Sequence, residues 1–177
     1  MTRIIAGAAG GRRLATAAGR TTRPTSDRAR EGLFATVTAV RGGLAGAAVL
    51  DLYAGSGALG LEALSRGAAR CVFVDSSPEA CRTIAANLEL FGLTATVLCQ
   101  DAERALAADP GPYQLVLADP PYAFGDYARL GPPLVRLLDL GGLAVLQTPA
   151  RVEPDLPGLR IRTSRRYGSA RLTLFEP

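Results

Sequence analysis

Apolar runs and amphipathic segments alternate along most of the chain. Short runs rich in Val, Leu and Ala predict strands near residues 47–53, 70–74, 94–99, 113–118 and 142–147. Between them, apolar positions recur with the helical period and predict helices near residues 58–66, 78–91, 101–108 and 127–138. Strands that alternate with helices in this way are typical of a doubly wound, mostly parallel sheet. The pattern therefore predicts an α/β protein with a Rossmann-like core.

Both ends of the chain break this alternation. Residues 3–6 and 12–16 flank a glycine-rich turn and predict an N-terminal β-hairpin. At the other end, residues 159–166 and 170–175 flank a short turn and predict an antiparallel hairpin. With the five core strands, this C-terminal hairpin would complete a seven-stranded sheet.

A further helix is predicted between the first hairpin and the first core strand. Thr25 or Ser26 is suited to the N-cap, because Ser and Thr side chains accept hydrogen bonds from the free amides of a first turn. Leu33 and Phe34 lie on its apolar side. The helix is expected to end near Val40, before a pair of glycines.

The arginines cluster at the two ends of the chain, which contains neither Lys nor His. Residues 1–41 hold eight Arg and two acids, residues 42–150 hold six Arg and eleven acids, and residues 151–177 hold six Arg and three acids. A general preference for Arg over Lys would not produce this clustering. Basic ends around an acidic middle indicate that the ends contact a polyanion. We expect a basic hairpin extension over residues 1–20 and a main domain over residues 21–177.

Composition limits the classes of protein that remain. No run approaches the roughly 20 uncharged apolar residues of a membrane-spanning helix, so we expect a soluble, cytoplasmic protein with no membrane partner. Cys71, Cys81 and Cys99 lack the spacing of metal ligands, and the absence of His argues against a zinc centre or a Ser-His-Asp triad. We expect buried, reduced thiols and no metal.

A glycine-rich motif follows the first core strand. Gly55, Gly57 and Gly60 form a GxGxxG pattern at the start of a helix, and Asp75 ends the second strand. The glycines let the backbone turn tightly and approach a ligand, while the acid can accept both hydroxyl protons of a ribose. The motif predicts an adenosine cofactor, either a dinucleotide or S-adenosylmethionine. An NAD(P)-dependent oxidoreductase therefore stays open at this point.

Two further acids favour S-adenosylmethionine. Asp51 directly precedes the loop, where a negative charge would repel a pyrophosphate and attract the cationic amino and sulfonium groups. Asp101 follows the third core strand, where it can cap the next helix or accept the adenine amino proton beside the Ala102 N–H. The predicted cofactor contacts are Asp51, Tyr53, Ala54, Gly55, Ser56, Gly57, Asp75, Ser76, Asp101 and Ala102.

A second motif, Asp119-Pro120-Pro121-Tyr122, ends the fourth core strand. Two prolines hold the backbone rigid and leave carbonyl acceptors exposed. The Asp119 carboxylate and the Pro120 carbonyl can accept the two protons of an exocyclic base amine and turn its lone pair toward a methyl donor. Tyr122 and Phe124 are expected to stack on an extruded base, with packing over the sheet edge as the alternative. The tetrapeptide does not name the base, so an N6-adenine or N4-cytosine DNA methyltransferase stays open.

Together these residues resemble the class I methyltransferases whose D/N-P-P-Y/F motif modifies amino groups. Residues 22–34 (TRPTSDRAREGLF), residues 51–68, both hairpins and Tyr167-Gly168 further resemble the bacterial family that methylates guanine-966 N2 of 16S ribosomal RNA. The resemblance covers nearly the whole chain. It implies use of S-adenosyl-L-methionine, release of S-adenosyl-L-homocysteine, and action on 16S rRNA within a partly assembled small-subunit particle. We expect a monomer.

The resemblance also places residues 22–34 near the entrance to the cofactor and substrate site. Its arginines would contact phosphate or cofactor, while those of the two hairpins would contact the RNA backbone. A solvated helix face is the alternative for each. The predicted RNA contacts are Arg3, Arg12, Arg13, Arg23, Arg28, Arg30, Phe124, Arg165 and Arg166. An RNA-binding assembly factor with an inactive pocket is a further alternative, which an Asp119→Ala variant would test.

Overall fold

A single mixed sheet flanked by helices forms the core of the computed structural model, which describes residues 2–16 and 26–177. The strands are β1 (Ala48–Leu52), β2 (Arg70–Asp75), β3 (Thr96–Cys99), β4 (Tyr113–Ala118), β5 (Leu138–Pro149), β6 (Arg160–Tyr167) and β7 (Ala170–Glu176). The helices are α1 (Asp27–Arg41), α2 (Ala58–Ser65), α3 (Pro78–Phe91), α4 (Ala102–Ala108) and α5 (Gly131–Leu137), with a 3₁₀ turn at Tyr127–Leu130.

The strand order is β3-β2-β1-β4-β5-β7-β6. The first five strands are parallel, and β7 lies antiparallel between β5 and β6. The predicted Rossmann-like sheet with an antiparallel C-terminal hairpin is therefore confirmed. The chain leaves β1 toward β2 on one side and returns to β4 on the other, which opens a crevice at the carboxyl ends of β1 and β4.

Helices cover both faces of the sheet. On one face, α1, α2 and α3 pack through residues such as Phe34, Leu61 and Ile84. On the other, α4 and α5 pack through Leu106 and Leu134. Because both faces are covered, all five residues of β1 are buried, as is typical of a central parallel strand.

Helix α1 has the predicted ends. Ser26 is the N-cap, and its side chain accepts a hydrogen bond from the Ala29 N–H at 3.2 Å. Gly42 is the C-cap, with a φ of 80° that glycine adopts without strain. Within the described residues, no helix combines the length and the apolar character needed to cross a bilayer.

The helical stretch predicted near residues 127–138 is observed over residues 127–137, but it is divided in two. The 3₁₀ turn Tyr127–Leu130 precedes a short α5, and β5 begins at Leu138 rather than near residue 142. Pro132 and Pro133 explain the division, because proline lacks an N–H and is accommodated in the first turn of a helix rather than in its interior.

The predicted N-terminal hairpin is present with a short ladder. Arg3 and Arg13 form an antiparallel bridge, in which the Ile4 N–H donates to the Arg12 carbonyl and the Leu14 N–H to the Thr2 carbonyl, both at 2.9 Å. Beyond the bridge, the Ile5 and Ala6 amides donate to the Glu62 carboxylate of α2, at 2.7 and 3.0 Å. We call residues 2–16 the N-terminal arm; its Ile4 and Leu14 side chains belong to the main hydrophobic core. The predicted boundary at residue 20 lies outside the described residues.

The three cysteines differ in exposure. Cys71 is buried, Cys81 is half-buried and Cys99 is exposed, so the expectation of buried thiols is wrong for Cys99. The difference follows from position, because Cys71 lies on a central strand and Cys99 ends the edge strand β3. Across residues 2–16 and 26–177, no cluster of three or more His, Cys, Asp or Glu side chains could hold a metal ion.

Candidate active site

The glycine loop joins β1 to α2 at the carboxyl edge of the sheet. Tyr53, Gly55 and Gly57 have φ angles of 57°, 58° and 79°, so three of five consecutive residues are left-handed. For a non-glycine residue such as Tyr53 this conformation stores strain, which commonly marks a functional site. A Cβ on Gly60 would lie 2.3 Å from the Phe73 ring. The loop therefore needs its glycines for the turn and for the close contact of α2 with β2.

Asp75, at the end of β2, holds the loop from the side. Its Oδ2 accepts a hydrogen bond from the Gly55 N–H at 2.9 Å, and its Oδ1 accepts one from the Ser77 N–H at 2.9 Å. Each carboxylate oxygen has a second lone pair, so the same group has the acceptors that ribose hydroxyls need. Ser76, beside it, is exposed. Both predicted cofactor residues thus lie next to the loop.

Asp51 lies beneath the loop and is only 1 % exposed. Its Oδ2 accepts a hydrogen bond from the Gly60 N–H at 2.8 Å. Burial raises the pKa of Asp51 well above its usual value, and the negative charges of Asp119 and Asp75 raise it further. Asp51 is therefore an acid whose charged form a nearby cation would stabilise.

Asp101 ends the loop after β3 and caps α4. Its Oδ1 accepts hydrogen bonds from the Glu103 and Arg104 amides at 2.8 and 3.3 Å. Ala102 is the first residue of the helix and is buried. The capping role predicted for Asp101 is confirmed, and a contact with adenine stays a prediction.

Asp119 begins the Asp-Pro-Pro-Tyr segment just past β4. Its Oδ1 accepts a hydrogen bond from the Gln147 Nε2 at 2.8 Å, and its backbone N–H donates to the Leu52 carbonyl at 3.4 Å. Gln147 is 4 % exposed and lies near the end of β5, the neighbour of β4. Sequence analysis missed Gln147. The available signal was a polar side chain near the end of an apolar strand that precedes the C-terminal hairpin.

Tyr122 opens onto a cavity of about 350 Å³. The Tyr122 side chain is 53 % exposed. The cavity combines the start of α1, the Asp-Pro-Pro-Tyr segment, the end of β5 and the turn between β6 and β7. Its walls include Arg28, Gln147, Arg166 and Tyr167. A cavity lined by an exposed aromatic ring and two arginines has the composition of a site for a base and its phosphates.

Comparison with known proteins identifies the family of this chain, and several of its relatives are named as methyltransferases. The family described as "Conserved hypothetical protein 95" matches residues 2–176. "Putative rRNA methyltransferase YlbH" of Bacillus subtilis is 44 % identical over 98 % of each chain. "Ribosomal RNA small subunit methyltransferase D" of Escherichia coli K12 is 37 % identical over 88 % of this chain and 77 % of its own. The chain belongs to this family.

Solved structures of the family share the whole architecture. A hypothetical protein of Thermus thermophilus superposes with a TM-score of 0.86 at 36 % identity over 100 % of both chains. The structure of "Putative methyltransferase yhhF" from Escherichia coli superposes with a TM-score of 0.84 at 32 % identity, over 98 % of this chain and 96 % of its own. The family resemblance drawn from the motifs is confirmed.

Phe124 packs against neighbouring side chains. Its ring meets the Tyr53 ring edge-on at 5.7 Å and the Tyr127 ring at 5.4 Å between centroids. The Arg129 guanidinium lies 4.2 Å from the Phe124 ring centroid. These contacts favour the packing alternative for Phe124, which supports Tyr53 of the glycine loop. Tyr122 is left as the exposed ring of the pair.

Arg30 lies inside the protein and not on an RNA-binding surface. It is 0 % exposed, and its Nη2 donates to the Arg3 carbonyl and to the Asp27 Oδ1, the latter at 2.7 Å. Burial lowers the pKa of Arg30, while Asp27 and Glu62 oppose that change. The segment-wide prediction of phosphate contacts fails here because the side chain faces the N-terminal arm.

The remaining predicted arginines divide by position. Arg28 and Arg166 line the cavity. Arg3 pairs with Asp27 at 3.2 Å, and Arg12 stacks on the Phe91 ring and donates to the Leu90 carbonyl, so both also hold the arm. The other three predicted arginines lie elsewhere. Arg13 is exposed, Arg165 lies outside the walls of the cavity, and Arg23 falls outside the described residues.

Proposed function

We propose that the chain methylates the exocyclic N2 of a guanine in small-subunit ribosomal RNA, with guanine-966 of 16S rRNA as the target. The observation that carries the proposal is the Asp119 carboxylate, which Gln147 orients at 2.8 Å in the segment that also carries the exposed Tyr122. Family membership supports the reaction class, because relatives carry the names of rRNA methyltransferases.

The residues around the glycine loop fit S-adenosylmethionine. Four carboxyl groups end or follow strands at one edge of the sheet: those of Asp51, Asp75, Asp101 and Asp119. Burial raises the pKa of Asp51, and the negative charges of Asp119 and Asp75 raise it further. A cationic ligand would offset this negative charge, whereas a pyrophosphate would add to it. This difference argues against an NAD(P)-dependent oxidoreductase. When bound, S-adenosylmethionine supplies an electrophilic methyl group on a sulfonium, which is already a good leaving group.

The chain's own residues would act on the amine. The Asp119 carboxylate and the Pro120 carbonyl accept the two N2 protons of guanine, which draws them from the ring plane and localises the nitrogen lone pair. Gln147 fixes the direction of the carboxylate. One N2 proton then leaves to Asp119 or to water as the new N–C bond forms. Catalysis in this scheme is positioning and electrostatics, so no further base is needed.

The cavity would take the extruded nucleotide. Tyr122 would stack on the base, since aromatic rings bind any base through its π-face. Arg28 and Arg166 would contact the flanking phosphates. A partly assembled small-subunit particle in the cytoplasm is the proposed substrate, and a monomer the proposed active form.

The experiment is mass spectrometry of 16S rRNA from a strain that lacks the gene. The expected result is loss of one N2-methylguanosine, restored by the wild-type gene and not by Asp119→Ala. An unchanged set of modified nucleotides would overturn the proposal. Loss of N6-methyladenine or N4-methylcytosine from DNA would identify the other base class. Full restoration of ribosome assembly by Asp119→Ala would favour the RNA-binding assembly factor.

A further inference from the structure

Asn87 of α3 joins two parts of the molecule that are distant in sequence. Its side chain is fully buried. The Oδ1 accepts a hydrogen bond from the Ala15 N–H at 2.8 Å, and the Nδ2 donates to the Ala15 carbonyl and to the Ser56 carbonyl, both at 3.0 Å. Ala15 lies near the end of the N-terminal arm, and Ser56 lies in the glycine loop. One amide group therefore connects the arm with the loop.

The chemistry of these three hydrogen bonds suits asparagine. Its amide offers two N–H donors and a carbonyl acceptor in one plane, and here the partners are two carbonyls and one N–H. An aspartate would present oxygen to two carbonyl oxygens, and an alanine would leave all three backbone groups without this partner. Because the site is buried, each lost partner weakens the segment to which it belongs.

The bond to Ser56 acts on the loop through a rigid unit. The Ser56 carbonyl and the Gly57 N–H share one peptide plane. Asn87 holds the carbonyl at 3.0 Å, while the Gly57 N–H donates to the Ala54 carbonyl at 2.7 Å. The plane is thus fixed at both ends, at the point where the backbone turns into α2.

The rest of the arm is held on the other side of the loop. Glu62 of α2 accepts the Ile5 and Ala6 amides. Ser65 of α2 accepts the Ala9 N–H at 2.9 Å and donates to the Ala6 carbonyl at 2.6 Å. These contacts bind the arm without touching the glycine loop. Asn87 differs because it binds both the N-terminal arm and the glycine loop.

We propose that Asn87 is a positioning residue for the cofactor loop and makes the attachment of the N-terminal arm part of cofactor binding. The proposal rests on the proposed function, in that S-adenosylmethionine and S-adenosylhomocysteine are taken as ligands of the loop. Asn87 touches neither ligand in this scheme. It acts by holding the Ser56–Gly57 peptide plane in the orientation that the ligand meets.

Calorimetric titration with S-adenosylhomocysteine tests the proposal below the melting temperature of each variant. Asn87→Ala should raise the Kd about tenfold, because the loop loses a buried hydrogen bond and must be ordered by the ligand. Ser65→Ala is the matched control, since it removes two arm contacts and none from the loop. Its Kd should stay within twofold of the wild type.

The outcomes separate this proposal from the proposed function. Equal Kd values for the two variants would overturn the role of Asn87 and leave the function intact. Absence of any binding by the wild type would overturn the function itself. A variant that is merely less stable would melt earlier and still bind with the wild-type Kd once folded.

Amide hydrogen exchange on the wild type covers the case in which Asn87→Ala does not fold. Addition of S-adenosylhomocysteine should slow exchange at the Ala15 N–H, which donates to Asn87, together with the loop amides. The Ala9 N–H, which donates to Ser65, should change much less. Protection of the loop amides without a change at Ala15 would overturn the proposal.

Discussion

The glycine loop and the cavity beside Tyr122 lie at the same edge of the sheet, but the protein holds them by different means. In the loop, Asp51, Asp75 and Asn87 bind backbone groups of Gly60, Gly55 and Ser56 at 2.8 to 3.0 Å. The walls of the cavity instead combine exposed residues, such as Arg28 and Tyr122, with the buried Gln147. The loop is acidic and internally bonded, whereas the cavity is basic and open.

This difference indicates that the two halves reach their working form in different ways. Side chains at most 31 residues from their loop partners fix the loop conformation, so the cofactor half is preorganised. The cavity joins elements from both ends of the chain, including Arg28 and Arg166. Its exposed side chains, such as those of Arg28 and Tyr122, can gain contacts when a nucleotide enters. Variants on each side should therefore have separable effects.

The largest effect is expected for Asp119→Ala. Loss of the carboxylate removes one of the two amine acceptors, and the rate of methyl transfer should fall by about 10² to 10³-fold, as for loss of one preorganised hydrogen-bonding group elsewhere. Single-turnover methylation of small-subunit RNA measures this. The Kd for S-adenosylhomocysteine should change less than threefold. Asp119→Asn keeps one oxygen acceptor, so its rate of methyl transfer should lie between those of the wild type and Asp119→Ala. A rate within tenfold of wild type for Asp119→Ala would contradict the mechanism.

Substitution of two helical glycines, one near the glycine loop and one near the cavity, compares the two halves of the site directly. A Cβ at Gly60 would lie 2.3 Å from the Phe73 ring in the core, while a Cβ at Gly32 would lie 2.3 Å from the Tyr167 hydroxyl at the cavity. Gly60→Ala should lower the free energy of unfolding by about 1–3 kcal/mol through overpacking. Gly32→Ala should leave stability nearly unchanged, because Tyr167 can move.

Urea denaturation measures the stability of both variants, and filter binding measures their affinity for RNA. Gly32→Ala should weaken RNA binding several-fold by displacing Tyr167 from the cavity wall. Equal losses of stability for the two variants would contradict this prediction, because they would show that the loop and the cavity are equally well packed.

The raised pKa of Asp51 predicts an opposite pH dependence for stability and for cofactor affinity. The folded state holds the Asp51 proton more tightly than the unfolded chain does, so stability falls as pH rises above the ordinary Asp range and through the raised pKa. A cationic ligand prefers the charged form, so affinity for S-adenosylmethionine rises over the same range.

Asp51→Asn should remove both trends. Its stability should exceed that of the wild type toward high pH, and its affinity for S-adenosylmethionine at neutral pH should fall about tenfold, as expected for a lost charge contact of moderate strength. Denaturation and calorimetry over a pH series provide the two readouts. Parallel pH profiles for the variant and the wild type would show that Asp51 is not the titrating group.

The comparison also explains which features the sequence could predict. The alternation of strands and helices, the glycine loop, Asp75 and the helix caps follow from local rules, because strand periodicity and capping act over a few residues. The Asp-Pro-Pro-Tyr motif is likewise contiguous. Predictions succeeded where neighbours in sequence determine the structure.

Features that depend on contacts between distant segments were missed or misread. Gln147 meets Asp119 only because β5 lies beside β4. The sequence predicts a phosphate or cofactor contact for Arg30, whereas this side chain is buried and donates to the carbonyl of Arg3 in the N-terminal arm. The arm forms the predicted hairpin, but its Ile5 and Ala6 amides bind Glu62 of α2, which the sequence did not indicate. No periodicity signals such partners, since each lies 27 or more residues away.

The smallest expected effect is on the salt dependence of RNA binding, which also tests the difference between the loop and the cavity. Arg28→Ala with Arg166→Ala should weaken RNA binding at low salt and reduce the slope of log affinity against log salt by about 1.4, since each single-stranded phosphate contact contributes about 0.7. Arg82→Ala, on the exposed side of α3, is the charge-matched control and should leave the slope unchanged. Affinity for S-adenosylhomocysteine should stay the same in both the double variant and the control, because none of the three arginines belongs to the loop. An unchanged slope in the double variant would remove the cavity from the RNA interface and leave only the preorganised half of the site.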